Sequence, residues 1–175
     1  MIEETLKSII RDVADFPKPG IVFKDITPIL SNPEISNQLL RHLESLYKDQ
    51  NIDVVVGIES RGFLFGFALA MRLSVPFVLI RKKGKLPYKK IAYDYELEYG
   101  TATIEIHTDA ISEGQRVLVH DDLLATGGSA EATAKLIQKC GGEVIGFNFL
   151  VELEFLKGID KLKPFTKDIV SVVKY

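Results

Sequence analysis

Residues 116–133 read Arg-Val-Leu-Val-His-Asp-Asp-Leu-Leu-Ala-Thr-Gly-Gly-Ser-Ala-Glu-Ala-Thr. The apolar run Val117-Leu118-Val119 is short and β-branched, the pattern of a strand buried on both faces. Asp121 and Asp122 follow at once, where a strand leaving a core presents charge to solvent. Ala125-Thr126-Gly127-Gly128-Ser129 then supplies small residues, two glycines and two hydroxyls ahead of a helical spacing at Ala130, Ala134, Ile137 and Cys140. Such a turn can aim several backbone N–H groups at one anion, and the positive end of the helix adds to the attraction. Two adjacent carboxylates beside a phosphate cradle suit the vicinal hydroxyls of a ribose, since each can accept hydrogen bonds from them. The stretch contains neither G-x-x-x-x-G-K-S/T nor G-x-G-x-x-G, which separates it from triphosphate and dinucleotide loops. The plainer alternative is a tight turn with a helix cap at Ser129.

The same plan stands earlier in the chain. Asp53-Val54-Val55-Val56-Gly57-Ile58 reads as an interior strand, Glu59-Ser60-Arg61-Gly62 as a turn, and Phe63 to Met71 as an almost wholly apolar helix. Loops at the carboxyl ends of parallel strands form the ligand crevice, so Arg61 stands where an anion would bind, unless it is merely a surface arginine. Phe77–Ile80 and Val144–Val151 read as buried strands, Thr101–Ile106 as a half-exposed one, and Ile169–Val173 as a terminal one. Ile2, Leu6, Ile9, Ile10 and Val13 predict a first helix that ends before Phe16-Pro17, and Asn32-Pro33-Glu34 starts another. The order predicts an α/β fold, a mostly parallel twisted sheet flanked by helices, in one domain over residues 1–175.

Two stretches resist that pattern. Residues 15–33 carry Pro17, Pro19, Gly20, Pro28 and Pro33, and are expected to form an N-terminal hood within residues 1–33. Residues 81–98 show no sustained apolar period and are expected to be a flexible basic lid loop, with six cations between Arg81 and Lys90. A charge run is usually a solvated face; here it also suits an anionic substrate.

Composition sets outer bounds. At 46% hydrophobic and 26% charged the chain is an ordinary globular protein, and a formal charge of −2 argues against general nucleic-acid binding. The remainder outside Arg81–Lys90 holds sixteen basic against twenty-four acidic residues, which weakens that use of the patch further. A single Cys140 excludes an internal disulfide and fits a reducing compartment. No signal-peptide pattern or membrane-length apolar run is seen, so a soluble cytoplasmic protein without membrane contact is expected. His42, His107 and His120 lack metal-ligand spacing, and His120 is read as a packing residue.

The run Asp121 to Ser129 resembles the phosphoribosyl pyrophosphate (PRPP) motif of type I phosphoribosyltransferases, in the form found in adenine phosphoribosyltransferases. The likeness extends to Phe-Pro-Lys-Pro-Gly-Ile-Val-Phe-Lys-Asp-Ile-Thr-Pro from Phe16, Glu-Ser-Arg-Gly-Phe from Glu59, Arg-Lys-Lys-Gly-Lys-Leu-Pro from Arg81 and Leu-Glu-Tyr-Gly from Leu97, so it covers Phe16 through Phe165. It implies transfer of the phosphoribosyl group from PRPP to adenine, giving AMP and pyrophosphate, in a homodimer that takes Mg²⁺ through its substrate with no protein metal site. By the same resemblance Phe23 stacks on adenine while backbone groups at Val22 and Lys24 read its edge. Asp121 and Asp122 hold the ribose, and Ala125, Thr126, Gly127, Gly128 and Ser129 hold the 5′-phosphate. Arg61, Arg81, Lys82 and Lys85 meet pyrophosphate, Glu98 exchanges a proton with the purine, and Tyr99 positions it. The family usually has an aliphatic residue where His120 stands.

Two rivals stay open at this point. A transferase for 6-oxopurines or xanthine would share the phosphate loop but not the hood and Leu-Glu-Tyr-Gly. A PRPP-sensing regulator would bind nucleic acid without catalysis, and relatives of that kind usually carry a further DNA-binding domain.

Overall fold

The structure is a computed structural model that describes residues 1–16, 18–97 and 100–175, so Pro17, Glu98 and Tyr99 lie outside the described residues. The chain divides into two compact units, Met1–Leu46 and Tyr47–Tyr175.

The first unit begins with α1 (Ile2–Ile9), β1 (Arg11–Ala14), β2 (Val22–Asp25) and α2 (Thr27–Leu30), and leads into α3 (Pro33–Tyr47). The first helix is shorter than its apolar spacing predicts. Val13 belongs to β1, which pairs antiparallel with β2 and sets Val13 opposite Phe23. Ladder bonds and the cross-strand Arg11–Asp25 ion pair thus override a helical repeat that had only Ile10, now the C-cap, and Val13 left to gain. Asn32 caps α3 as its spacing predicts, its side chain accepting the Ile35 N–H at 3.2 Å.

The second unit runs β3 (Val54–Ile58), α4 (Gly62–Leu73), β4 (Phe77–Lys82), β5 (Lys90–Leu97), β6 (Gly100–His107), β7 (Arg116–Leu124), α5 (Gly128–Lys139), β8 (Glu143–Glu152), two short 3-10 segments at Glu154–Leu156 and Gly158–Lys161, and β9 (Ile169–Lys174). Seven strands form one sheet in the order β5-β6-β4-β3-β7-β8-β9. Strands β4, β3, β7, β8 and β9 are parallel neighbours, while β6 is antiparallel to both β4 and β5. The mostly parallel sheet with flanking helices is the expected architecture.

Alternation divides the core between two faces. Val54, Val56, Ile58, Val117 and Val119 join one apolar cluster with Ala130, Ala134, Leu136 and Ile137 of α5. On the other face, the Phe77 ring lies against Gly57 and Gly66, filling the space where side chains at those two positions would begin. His120 lies beside Gly66 on that same face.

Two expectations change. Residues 81–98 are not one irregular loop, because β5 pairs with β6 residue by residue from Lys90 opposite His107 to Leu97 opposite Gly100. Ile91, Tyr93 and Tyr95 do alternate with Ala92, Asp94 and Glu96; both sides of this ribbon carry polar groups, which hides the period of two. Strand β7 also continues through the acidic pair to Leu124, with Asp121 opposite Phe149 and Leu123 opposite Val151. The carboxylates therefore sit within the strand, held by ladder bonds.

Candidate active site

The glycine turn is built as a cup at the start of α5. Gly127 is the N-cap residue, in place of Ser129, and adopts φ 78°, a left-handed conformation that glycine takes without a Cβ penalty. The amides of Gly128, Ser129 and Ala130 open the helix, where no internal acceptor exists for them. They line, with Ala125, Thr126 and Asp121, a concavity of about 80 Å³. At ~30 Å³ per water molecule in the liquid, that is room for one tetrahedral anion.

A residue outside every sequence motif shapes this cup. A Cβ on Gly127 would fall 2.4 Å from the Gly158 carbonyl oxygen, and one on Gly158 would fall 2.2 Å from the Ala125 carbonyl oxygen. The backbone of the second 3-10 segment is thus stacked directly on the backbone of the turn. Residues 154–165 carry no chemical cluster, and the contact spans some thirty positions, so the only sequence signal is the lone glycine itself.

A second cavity of about 250 Å³ adjoins the strand ends and is lined by Glu59, Ser60, Arg61, Lys82, Asp121, Asp122 and Leu123. Asp121 lines both cavities. Asp122 is nearly buried and bound to the Arg61 guanidinium through Nε. Burial, and then the neighbouring Asp122 charge, push the Asp121 carboxyl well above its usual range, against an opposing pull from Arg61. The Asp121 side chain also accepts the Asp122 N–H at 2.9 Å. The Glu59–Ser60 peptide bond is cis.

The basic segment is sorted by its contacts. Arg81 is held by Glu59, with Nε at 3.2 Å, and its guanidinium also donates to the Lys85 carbonyl at 3.0 Å. Glu59 accepts the Lys82 N–H as well, at 2.9 Å. Burial raises the Glu59 carboxyl, but the Lys82 amide and Arg81 more than offset this and hold it below the usual carboxylate range. Lys82 is the member of Arg81, Lys82 and Lys85 that lines the second cavity. Glu59, quoted in the motif only as a neighbour of Arg61, is the group that sets Arg81 and Lys82 in place.

Val22, Phe23 and Lys24 follow one another on β2; the Phe23 ring meets Phe16 edge-on at 5.2 Å, and Lys24 pairs with Asp12 at 2.6 Å. Glu98 and Tyr99 fall outside the described residues. His120 is fully buried, as a packing residue should be, yet it is also hydrogen-bonded: Nδ1 lies 2.7 Å from the Asn148 Oδ1. Burial lowers its pKa to about 4, so the ring is neutral and Nδ1–H is the donor. Among the described residues no group of three or more His, Cys, Asp or Glu is arranged to hold a metal ion.

With this geometry in place, the comparisons with known proteins are decisive. A family model described as the phosphoribosyl transferase domain matches residues 25–173. An adenine phosphoribosyltransferase of Cytophaga hutchinsonii is 52% identical over 175 residues, covering 100% of this chain and 97% of that protein. The crystal structure of adenine phosphoribosyltransferase from Rhodothermus marinus superposes with a TM-score of 0.93 at 52% identity, covering 99% of this chain and 98% of the other. The Saccharomyces cerevisiae enzyme, complexed with 2,5-dideoxy-2,5-imino-altritol 1,6-bisphosphate and adenine, gives 0.91 at 40% identity, with 98% of each chain covered. Both the glycine cup and the acidic strand end fall inside the matched region, and the chain belongs to the adenine phosphoribosyltransferases of the phosphoribosyl transferase domain family.

Proposed function

We infer that the protein transfers the 5-phosphoribosyl group of PRPP to adenine, releasing AMP and pyrophosphate in purine salvage. Beyond membership of the family, the observation that supports the site assignment is the adjacency of two cavities through Asp121, one with the amides of a helix start and one with Arg61 and Lys82. A phosphate in the first and a pyrophosphate in the second would leave the ribose between them, against the carboxylates.

In this reading the backbone donors of residues 125–129 and the hydroxyls of Thr126 and Ser129 hold the 5′-phosphate, while Asp121 and Asp122 accept the ribose hydroxyls. As the bond from C1 to pyrophosphate lengthens, negative charge grows on the leaving group and meets Arg61 and Lys82. Arg81 acts through its contact with Glu59, and Lys85 through its carbonyl. Anchoring both ends of PRPP orients C1 for the purine nitrogen, a contribution of proximity. Phe23 stacks on adenine with Val22 and Lys24 at its edge; Glu98 as proton carrier and Tyr99 as positioning group enter on the family motif alone.

Magnesium fits this donor set as a partner of the substrate. Of the two strand carboxylates Asp122 is already bound to Arg61, so a hard cation would keep its water and bind chiefly through pyrophosphate oxygens, whose charge it would neutralise. A homodimer is part of the same reading: Leu64, Phe67 and Met71 form an exposed apolar stripe along α4 at helical spacing, suited to a second copy. Cytoplasmic placement rests on the single Cys140; among the described residues no helix is long and apolar enough to cross a membrane.

The test is turnover with adenine, hypoxanthine, guanine and xanthine competing for limiting PRPP. Only AMP should form at speed, and Asp121→Ala and Thr126→Ala should each weaken PRPP binding. Preference for a 6-oxopurine, or unchanged PRPP affinity in both variants, would overturn the assignment.

A further inference from the structure

Strand β4 pairs with β6 only at Arg81 opposite Glu105 and Lys82 opposite Ile104. The Lys83 N–H still reaches the Thr103 carbonyl at 3.1 Å; beyond that, toward Gly100, β5 is the one strand paired with β6 among the described residues, and a two-stranded ribbon is marginal in water without other support. That support comes from α5, across a cleft of about 500 Å³ that opens between ribbon and helix. Tyr93 receives Lys139 over its ring, the ammonium 4.8 Å from the centroid. Tyr95 does something different. Its ring lies at van der Waals distance from where a Gly128 side chain would start, and its hydroxyl is 3.0 Å from the Ser129 hydroxyl.

We propose that Tyr95 is a positioning residue that ties the β5–β6 ribbon to the phosphate cup, so that filling the cup fixes the ribbon. This rests on the assignment of Ser129 to the 5′-phosphate. A phenol is a stronger donor than an aliphatic alcohol, so Tyr95 donates and the Ser129 oxygen accepts. The Ser129 O–H is then left to donate to a phosphate oxygen, and the two bonds in series strengthen each other. An anion in the cup fixes the Ser129 rotamer, that rotamer holds Tyr95, and Tyr95 orders the ribbon that leads to residues 98–99.

Tyr95→Phe removes the hydroxyl and keeps the ring on Gly128. Hydrogen exchange of the amides of residues 100–104 is followed with and without ribose 5-phosphate, alongside steady-state kinetics. In the wild type, ribose 5-phosphate should slow exchange in the ribbon; in Tyr95→Phe the ligand should still bind but lose that effect. KM for PRPP should rise about threefold to tenfold, which at 1.4 kcal/mol per decade is about 0.7–1.4 kcal/mol and the size of one net hydrogen bond. KM for adenine should stay within about twofold on the same ground. Wild-type protection and wild-type KM for PRPP in Tyr95→Phe would overturn the coupling and leave the cup assignment standing. A wild-type protein that fails to bind ribose 5-phosphate would overturn the assignment and the coupling together.

Discussion

Replacing Gly158 by alanine adds one methyl group, 29 positions past Ser129, where the nearest site motif ends. On the present backbone that methyl carbon would stand 2.2 Å from the Ala125 carbonyl oxygen, 2.9 Å from the Gly127 nitrogen and 3.0 Å from a Leu124 methyl. Separations under 3.0 Å are essentially never tolerated, so one of the two backbones must retreat by at least 0.8 Å. Overpacking of this kind costs about 1–3 kcal/mol, or roughly 2–12 °C in Tm for a domain of this size. The larger effect should be kinetic: a shift near 1 Å in groups that orient a substrate lowers rate by ~10²-fold. Initial rates at varied PRPP and fixed adenine, then the reverse, separate the two ends of the site. Gly158→Ala should lower kcat/KM for PRPP by about 30- to 100-fold while moving KM for adenine by less than about threefold. A folded variant with wild-type kinetics for PRPP would mean that the surface segment gives way and the cup does not, and would refute the claim that residue 158 shapes it.

Other outcomes follow from the same geometry. Glu59→Gln keeps an acceptor for the Lys82 N–H but loses the charge facing Arg81, so KM for PRPP should rise by about tenfold, as for a charge-assisted bond of ~1.5 kcal/mol, with Tm little changed; unchanged pyrophosphate inhibition would count against it. The His120 pKa falls from 6.5 unfolded to about 4 folded, so the unfolded chain takes up the proton first and stability drops as pH falls through that window, by about 3 kcal/mol in full. Chemical denaturation of His120→Leu between pH 6.5 and 5 should show a slope shallower by about one proton, ~1.4 kcal/mol per pH unit; identical slopes would place the titration elsewhere. Phe67→Glu, set in the α4 stripe, should shift the protein to monomer in light scattering, and a persisting dimer would move the interface off that helix.

What could be read before the structure was known divides along physical lines. Val54–Ile58 and Val117–Val119 were legible because strands buried on both faces leave a continuous apolar run, and Asn32-Pro33-Glu34 because caps are local chemistry. Strand β5 was not, since Lys90, Asp94 and Glu96 are tolerated on a ribbon with solvent near both sides. Val13 fits the spacing of α1, yet its fate depends on Phe23, ten residues on. Within the site, Asp121 to Ser129 announced itself through composition. Glu59, Tyr95 and Gly158 act through partners 22, 34 and some 30 positions away, and no spacing rule covers pairings that only the fold creates.

Phe77 carries a consequence for descent. Its ring sits 2.4 Å from where a Gly57 methyl would stand and 3.0 Å from where one at Gly66 would, so a single volume is shared by three elements. None of the three positions can drift on its own: a branch that acquires alanine at 57 must shrink the aromatic at 77, in the same step or an earlier one. Across a deep set of orthologues these sites should change as a linked group, with small aliphatics at 77 wherever 57 has gained a side chain.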